Sequence, residues 1–148
     1  MKVKLMVSEE HYQQIASELQ KSGIEIDENA ELILTEHNTC ASYLIGRYNN
    51  ELYRLKTSEI SHIESFSHDV IAYTDQGQYK IAERLKTLCC ILDPSDFIRI
   101  SNSVIISANH VQSIKPDFTQ KFIVTMSNGA KVDVTRSYYY IFKSFFGI

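Results

Sequence analysis

The sequence predicts a mostly β protein with α: a small α+β unit over residues 1–49, followed by an antiparallel β domain with one or two helices over 50–148. Three observations carry this. Short stretches alternating apolar and polar residues recur from residue 51 onward, turn-forming residues separate them, and only two segments there space apolar residues at helical period.

The elements follow in order. "KVKLMV" alternates and reads as a strand. Ser8 stands where it can cap a helix whose apolar residues Tyr12, Ile15, Ala16 and Leu19 share one face, and Gly23 can close it. "IEIDENAELILTEHN" offers two short extended segments, and the turn cluster "GRYNN" at 46–50 places the boundary. Beyond it, "ELYRLKT", "ISHIESF", "DVIAYT" and "QYKI" are strands, with Gln76-Gly77 turning between the last two. A helix puts Ile81, Leu85, Leu88, Cys89 and Leu92 on one face and stops before Pro94; on that reading Cys89 is a buried apolar thiol. "FIRIS", "VIIS" and "HVQSI" are extended, and "QKFIVTMSNGAKVDVT" is a hairpin around an Asn128-Gly129 pair that suits a type I′ turn. The tail "SYYYIFKSFF" returns to helical spacing at Tyr138, Ile141, Phe142 and Phe145, aromatics read as core or partner packing.

Within "FIRISNSVIIS", the join between two strands is Ser101-Asn102-Ser103, with no Gly or Pro. A bare two-residue hairpin favours Asn-Gly or Asp-Gly because both central residues want positive φ, so this triplet has a purpose besides turning.

Charge and chemistry narrow the function. Residues 1–50 hold 4 Lys/Arg against 8 Asp/Glu, whereas residues 51–148 hold 11 against 10. Only the second part can approach phosphates without strong repulsion. The chain has no apolar run long enough for a membrane span and no signal-peptide core, which reads as cytoplasmic. Three cysteines, Cys40 with the adjacent pair Cys89 and Cys90, give neither a disulfide framework nor zinc-ligand spacing. Phosphate loop, HExxH, CxxC and nucleophile elbow are all missing, and His11, His37, His62, His68 and His110 are dispersed. No enzyme, metal or cofactor is expected; a cytosolic protein-interaction module and a thiol-based sensor using Cys89 and Cys90 stay open as other classes.

The C-terminal motifs carry a resemblance. "LKTL", then "DFIRISNSVIISANHVQSI", then "VTRSYY" after an Asn-Gly hairpin, resemble the LytTR family of bacterial DNA-binding domains, and "LKTSEISHIESFSHDVIAYT" is similar to the family's opening strands. Ser101 and Ser107 stand where the family usually has His and Asn. The resemblance implies an elongated domain of short antiparallel sheets whose loops enter major grooves of double-stranded DNA. Carried over position by position, it implies base contacts from His68, Asn102 and Arg136. Asn102 would then leave the sheet to reach a base edge, and Arg136 would offer a bidentate fork to guanine. Arg84, Lys86, Ser103 and Ser137 would suit phosphate contacts. Each has a plainer reading: Arg84 and Lys86 as solvated helix charges, Ser103 as a turn residue, Arg136 as a partner of Asp133 or Asp117. The expected protein is thus a transcriptional regulator, stand-alone and without a receiver domain, binding no small-molecule substrate. Residues 1–49 are expected to supply a homodimer contact, and the resemblance permits an inhibitory membrane-protein partner.

Overall fold

A computed structural model describes residues 1–36 and 40–148; His37 lies outside the described residues. The chain divides into two compact units, Met1–Cys40 and Ala41–Ile148.

The first unit is β1 (Lys2–Met6), α1 (Glu9–Lys21), β2 (Glu25–Ile26) and β3 (Leu32–Thr35), with both outer strands parallel to a central β1. Alternation in β1 turns Val3 and Leu5 inward, and Ala16 of α1 is buried with them. Ser8 precedes α1 as expected but does not cap it. Its hydroxyl donates to Glu36 Oε1 at 3.0 Å, and His11 Nδ1 lies 2.9 Å from the same oxygen. These contacts hold the Glu36 carboxyl below the usual carboxylate range, the His11 hydrogen bond foremost.

The second unit begins earlier than the turn cluster indicated. Its strands are β4 (Tyr43–Tyr48), β5 (Glu51–Lys56), β6 (Ile60–Phe66), β7 (Asp69–Thr74), β8 (Gly77–Ile81), β9 (Phe97–Arg99) and β10 (Val104–Ser107). They form one antiparallel sheet in the order β5-β4-β8-β7-β6-β10-β9. "GRYNN" is therefore a hairpin inside this sheet. Asn49 and Asn50, at φ 48° and 63°, form the two-residue turn, the positive-φ pair that a type I′ turn requires. Gly46 is not in the turn at all: it lies in β4, where an added Cβ would sit 2.6 Å from Tyr79 Cβ.

β11 (Val111–Asp117), β12 (Lys121–Met126) and β13 (Lys131–Val134) make a second antiparallel sheet, and α3 (Tyr139–Phe146) follows. The Asn128-Gly129 hairpin is not type I′. Among the described residues Gly129 has φ 86° but Asn128 keeps a negative φ, and Met126 N donates to Ala130 O at 2.8 Å, giving a three-residue loop closed by a left-handed glycine.

Two cores result, and strand alternation sorts residues between them. On one face of the large sheet, Leu44, Leu55, Ile63, Ala72, Ile81 and Ile105 pack with α2 (Leu85–Ile91) through Leu85 and Leu88. On the other, Ile98, Ile100, Val104 and Ile106 pack with Phe122, Val124, Val132 and Val134 of the small sheet and with Phe142 of α3. β10 is buried along its whole length because it serves both, Ile105 facing one core and Val104 and Ile106 the other. That explains "VIIS", a continuous apolar run. Three sequence assignments fail on the helices, the first being Ile81, which ends β8 instead of lying on α2. Cys89 is exposed, because α2 is only seven residues long and turns Leu85 and Leu88 inward; Ile141 is 58% exposed, because α3 buries Phe142 instead.

Candidate nucleic-acid interface

Among the loops that leave the sheets of the second unit are 67–68 between β6 and β7, 101–103 between β9 and β10, and 135–138 after β13. Backbone bonds tie them together. Ser65 N donates to Ser103 O at 2.8 Å, and Thr135 N donates to Ile100 O at 3.0 Å. Each loop is anchored to strands that also bury the cores, so its position is set by the sheets.

The Ser101-Asn102-Ser103 loop closes without any positive φ, which is why it needs no glycine. Ile100 N donates to Val104 O at 3.0 Å, and the buried Ser101 hydroxyl accepts from Ser103 N at 3.2 Å. Arg99 completes the clamp from outside: Nε donates to Ser101 O at 3.1 Å and an Nη to Asn102 O at 2.6 Å. The two serines thus form the turn and leave Asn102 exposed at its apex, where Oδ1 accepts from the Tyr138 hydroxyl at 3.2 Å. That bond links the second loop to the third. In the first loop Ser67 takes φ 58°, and His68 is exposed beside it. Asp69 next to His68 is paired with Lys80 at 2.9 Å, which offsets its charge locally.

Two grooves meet at Asn102. One, of about 500 Å³, is lined by Ser65, Ser67, His68, Arg84, Lys86, Arg99 and Asn102: three cations and no carboxylate. The other, of about 770 Å³, is lined by Asn102, Ser103, Arg136, Ser137, Thr135, Lys121 and Lys131, together with Glu64 and Asp133. Each of the seven residues expected to contact DNA lines one of them, and Asn102 lines both. Arg136 is exposed, and among the described residues no ion pair joins it to Asp133 or Asp117. Arg99, Lys121 and Lys131 were missed. Arg99 stands inside the quoted "FIRIS" motif, and the two lysines come from different strands of a sheet whose register the sequence does not state.

His62, His110 and Cys89 lie in surroundings of other kinds. His62 is buried and stacked on Tyr73 at 4.3 Å, and burial lowers its pKa to about 4, so it is neutral at physiological pH. His110 bridges the two sheets: Nε2 lies 2.8 Å from Ser58 O, and Nδ1 lies 3.1 Å from Ser127 Oγ. Ser107, in the place where Asn is usual, donates to Asp96 Oδ1 at 2.8 Å. Cys89 counts as exposed, yet desolvation still pushes its thiol up against the opposing effect of Arg99, the reverse of an activated thiol. Among the described residues no group of His, Cys, Asp and Glu could hold a metal ion. None of their helices is long and apolar enough to cross a membrane.

The fold and these grooves define a β domain that presents hydrogen-bonding and cationic side chains from loops and from the ends of the strands and helix beside them. Residues 50–147 match the family described as the LytTr DNA-binding domain, and the chain belongs to that family, a DNA-binding fold and not an enzyme family. It is 29% identical over 99 residues to the transcriptional regulatory protein LytR of Staphylococcus aureus strain N315, covering 67% of this chain and 40% of that protein. Against the sensory transduction protein LytT of Bacillus subtilis it is 25% identical over 112 residues, covering 74% of this chain and 46% of the other. The chain thus spans less than half the length of these relatives. Among solved structures, a LytTr DNA-binding domain of a Bacillus cereus methyl-accepting/DNA response regulator superposes with a TM-score of 0.71 at 23% identity, over 73% of this chain and 99% of that one.

Proposed function

We propose that the protein is a transcriptional regulator that binds specific double-stranded DNA through the loops around the two grooves, with His68, Asn102 and Arg136 at base edges. One observation carries this reading: residues from four separate stretches of chain, 65–68, 84–86, 99–103 and 135–137, converge on two adjoining grooves that share Asn102. Arg136 suits guanine O6 and N7, and the side-chain amide of Asn102 suits an adenine edge or a bridging water. Arg84, Lys86, Ser103 and Ser137 sit beside them and suit phosphate oxygens, which fix register without reading sequence.

The acidic first unit is the weaker candidate for a DNA contact. Lys2 and Lys4 are already paired, with Asp27 at 3.6 Å and Glu28 at 3.5 Å. We assign that unit a pairing role, supported by the exposed Leu32 and Leu34 on its edge strand β3.

The test is selection of bound duplexes from a random-sequence pool, followed by titration at several salt concentrations. A single enriched sequence whose affinity falls steeply with salt is expected. No enrichment, or binding insensitive to salt, would remove the reading.

A further inference from the structure

Among the cations and hydroxyls of the larger groove, one residue has the wrong charge for a DNA surface and cannot be dismissed as a rim residue. Glu64 lies on β6, opposite Val104 of β10 and Ile71 of β7. It is less exposed than Asn102 and Arg136, and the residues beside it on the groove wall, Val104 and Val132, are buried. Asp133, the other acid of the groove, is exposed and has Lys131 two positions along the same strand face. Glu64, among the described residues, makes no ion pair, and its carboxylate accepts no hydrogen bond from a side chain or the backbone. Burial already raises its carboxyl pKa, and its charge is close enough to Tyr73 to contribute to that hydroxyl's raised value.

A half-buried carboxylate without a donor becomes more costly once a ligand excludes water from the groove, unless the ligand itself brings a donor. The major-groove edges of DNA offer two kinds of exocyclic amino donor, cytosine N4 and adenine N6; guanine and thymine present only acceptors and a methyl group there. We infer that Glu64 is a specificity-determining residue of this groove: its carboxylate accepts from a cytosine or adenine amino group and excludes a base that shows only acceptors at that position. The inference rests on the groove being the DNA site. It adds a reader to the three proposed above, one that works chiefly by rejection.

The experiment uses the full chain, the duplex selected from the random pool, and its single-base-pair variants. Glu64→Ala and Glu64→Met are compared with wild type and with Arg136→Ala in competition titrations at fixed salt, after thermal melts establish that each variant is folded. At one base pair, wild type prefers cytosine or adenine on the contacted strand, and the profile says which. Both Glu64 variants should lose about tenfold of discrimination there while binding random duplex a few-fold more tightly, as befits the loss of one acceptor contact and one repulsive charge. Met keeps the length of the side chain but offers only a weak sulfur acceptor and no charge, so it decides the matter should Ala perturb the strand. If both variants strengthen every duplex equally, or change nothing, Glu64 reads no base and the inference falls alone, provided Arg136→Ala still loses discrimination. If Arg136→Ala loses none either, the groove is not the reading site and both readings fall together.

Discussion

The two grooves that meet at Asn102 differ in what lines them. Around His68 and Lys86 the ionic groups are all cationic, Arg84, Lys86 and Arg99, whereas around Arg136 three cations share the wall with Glu64 and Asp133. A wall of one sign attracts phosphate whatever the sequence, because backbone charge is the same at every step. A wall of mixed sign distinguishes, because donors and acceptors must each find a complement. On this view the smaller groove mainly positions the duplex and the larger one mainly reads it, with Asn102 common to both.

The largest effect expected is on the support behind the larger groove. Phe142 is fully buried, its ring tilted against that of Phe122 at a centroid distance of 5.0 Å. Phe142→Ala should cost about 3–5 kcal/mol in denaturant unfolding, and amide exchange should accelerate first in β12 and β13, the strands it packs against. Uniform acceleration throughout both sheets would show instead that the two cores melt as one.

Next comes the clamp on the shared loop. Arg99→Ala removes both donors to Ser101 O and Asn102 O, and should cost about 1–3 kcal/mol of stability while weakening the selected duplex. Arg99→Lys should not rescue it, since an ammonium cannot span two carbonyls as the guanidinium fork does. Full activity of the lysine variant would mean that Arg99 contributes charge alone.

How much of this was legible beforehand depends on whether the signal is local. Strands declared themselves through alternation, and Asn102 through a turn without glycine. The type I′ hairpin was expected at Asn128-Gly129 but formed at Asn49-Asn50, because flanking strand register, rather than the dipeptide, selects the loop length. The same register moved the beginning of the second unit to Ala41, since β4 completes a sheet with β5 and β8. Cys89 and Ile141 fit a helical stripe on paper, but such short helices bury only one or two residues each. The three candidate base readers, His68, Asn102 and Arg136, came from motif resemblance, and Arg84, Lys86, Ser103 and Ser137 from their chemistry and their place beside the readers or the helix face. What their grooves contain besides, Arg99, Lys121, Lys131 and Glu64, required knowing which strands are neighbours.

A smaller effect concerns pH. His62 is neutral in the folded chain with a pKa of about 4, below the 6.5 of an unconstrained histidine, so the unfolded chain binds the extra proton first. Its stabilising effect is complete above pH 6.5 and is lost as pH falls from there through about 4. In His62→Phe that portion of the acid sensitivity should disappear, leaving the slope due to carboxylates. Thermal melts of both proteins between pH 7 and 4 would show an unchanged slope if His62 is accessible to protons in the folded state.

The division between positioning and reading is tested most directly by one pair of variants. Arg136→Ala and Lys86→Ala are titrated side by side on the selected duplex and on random duplex, each over a range of salt. Arg136→Ala should lower the ratio of specific to random affinity by an amount equivalent to about 1–3 kcal/mol. Lys86→Ala should leave that ratio unchanged while reducing the salt slope by about one unit on both duplexes, one phosphate fewer being neutralised. Equal losses on specific and random DNA for Arg136→Ala, or a fall in the ratio for Lys86→Ala as large as that for Arg136→Ala, would contradict the account.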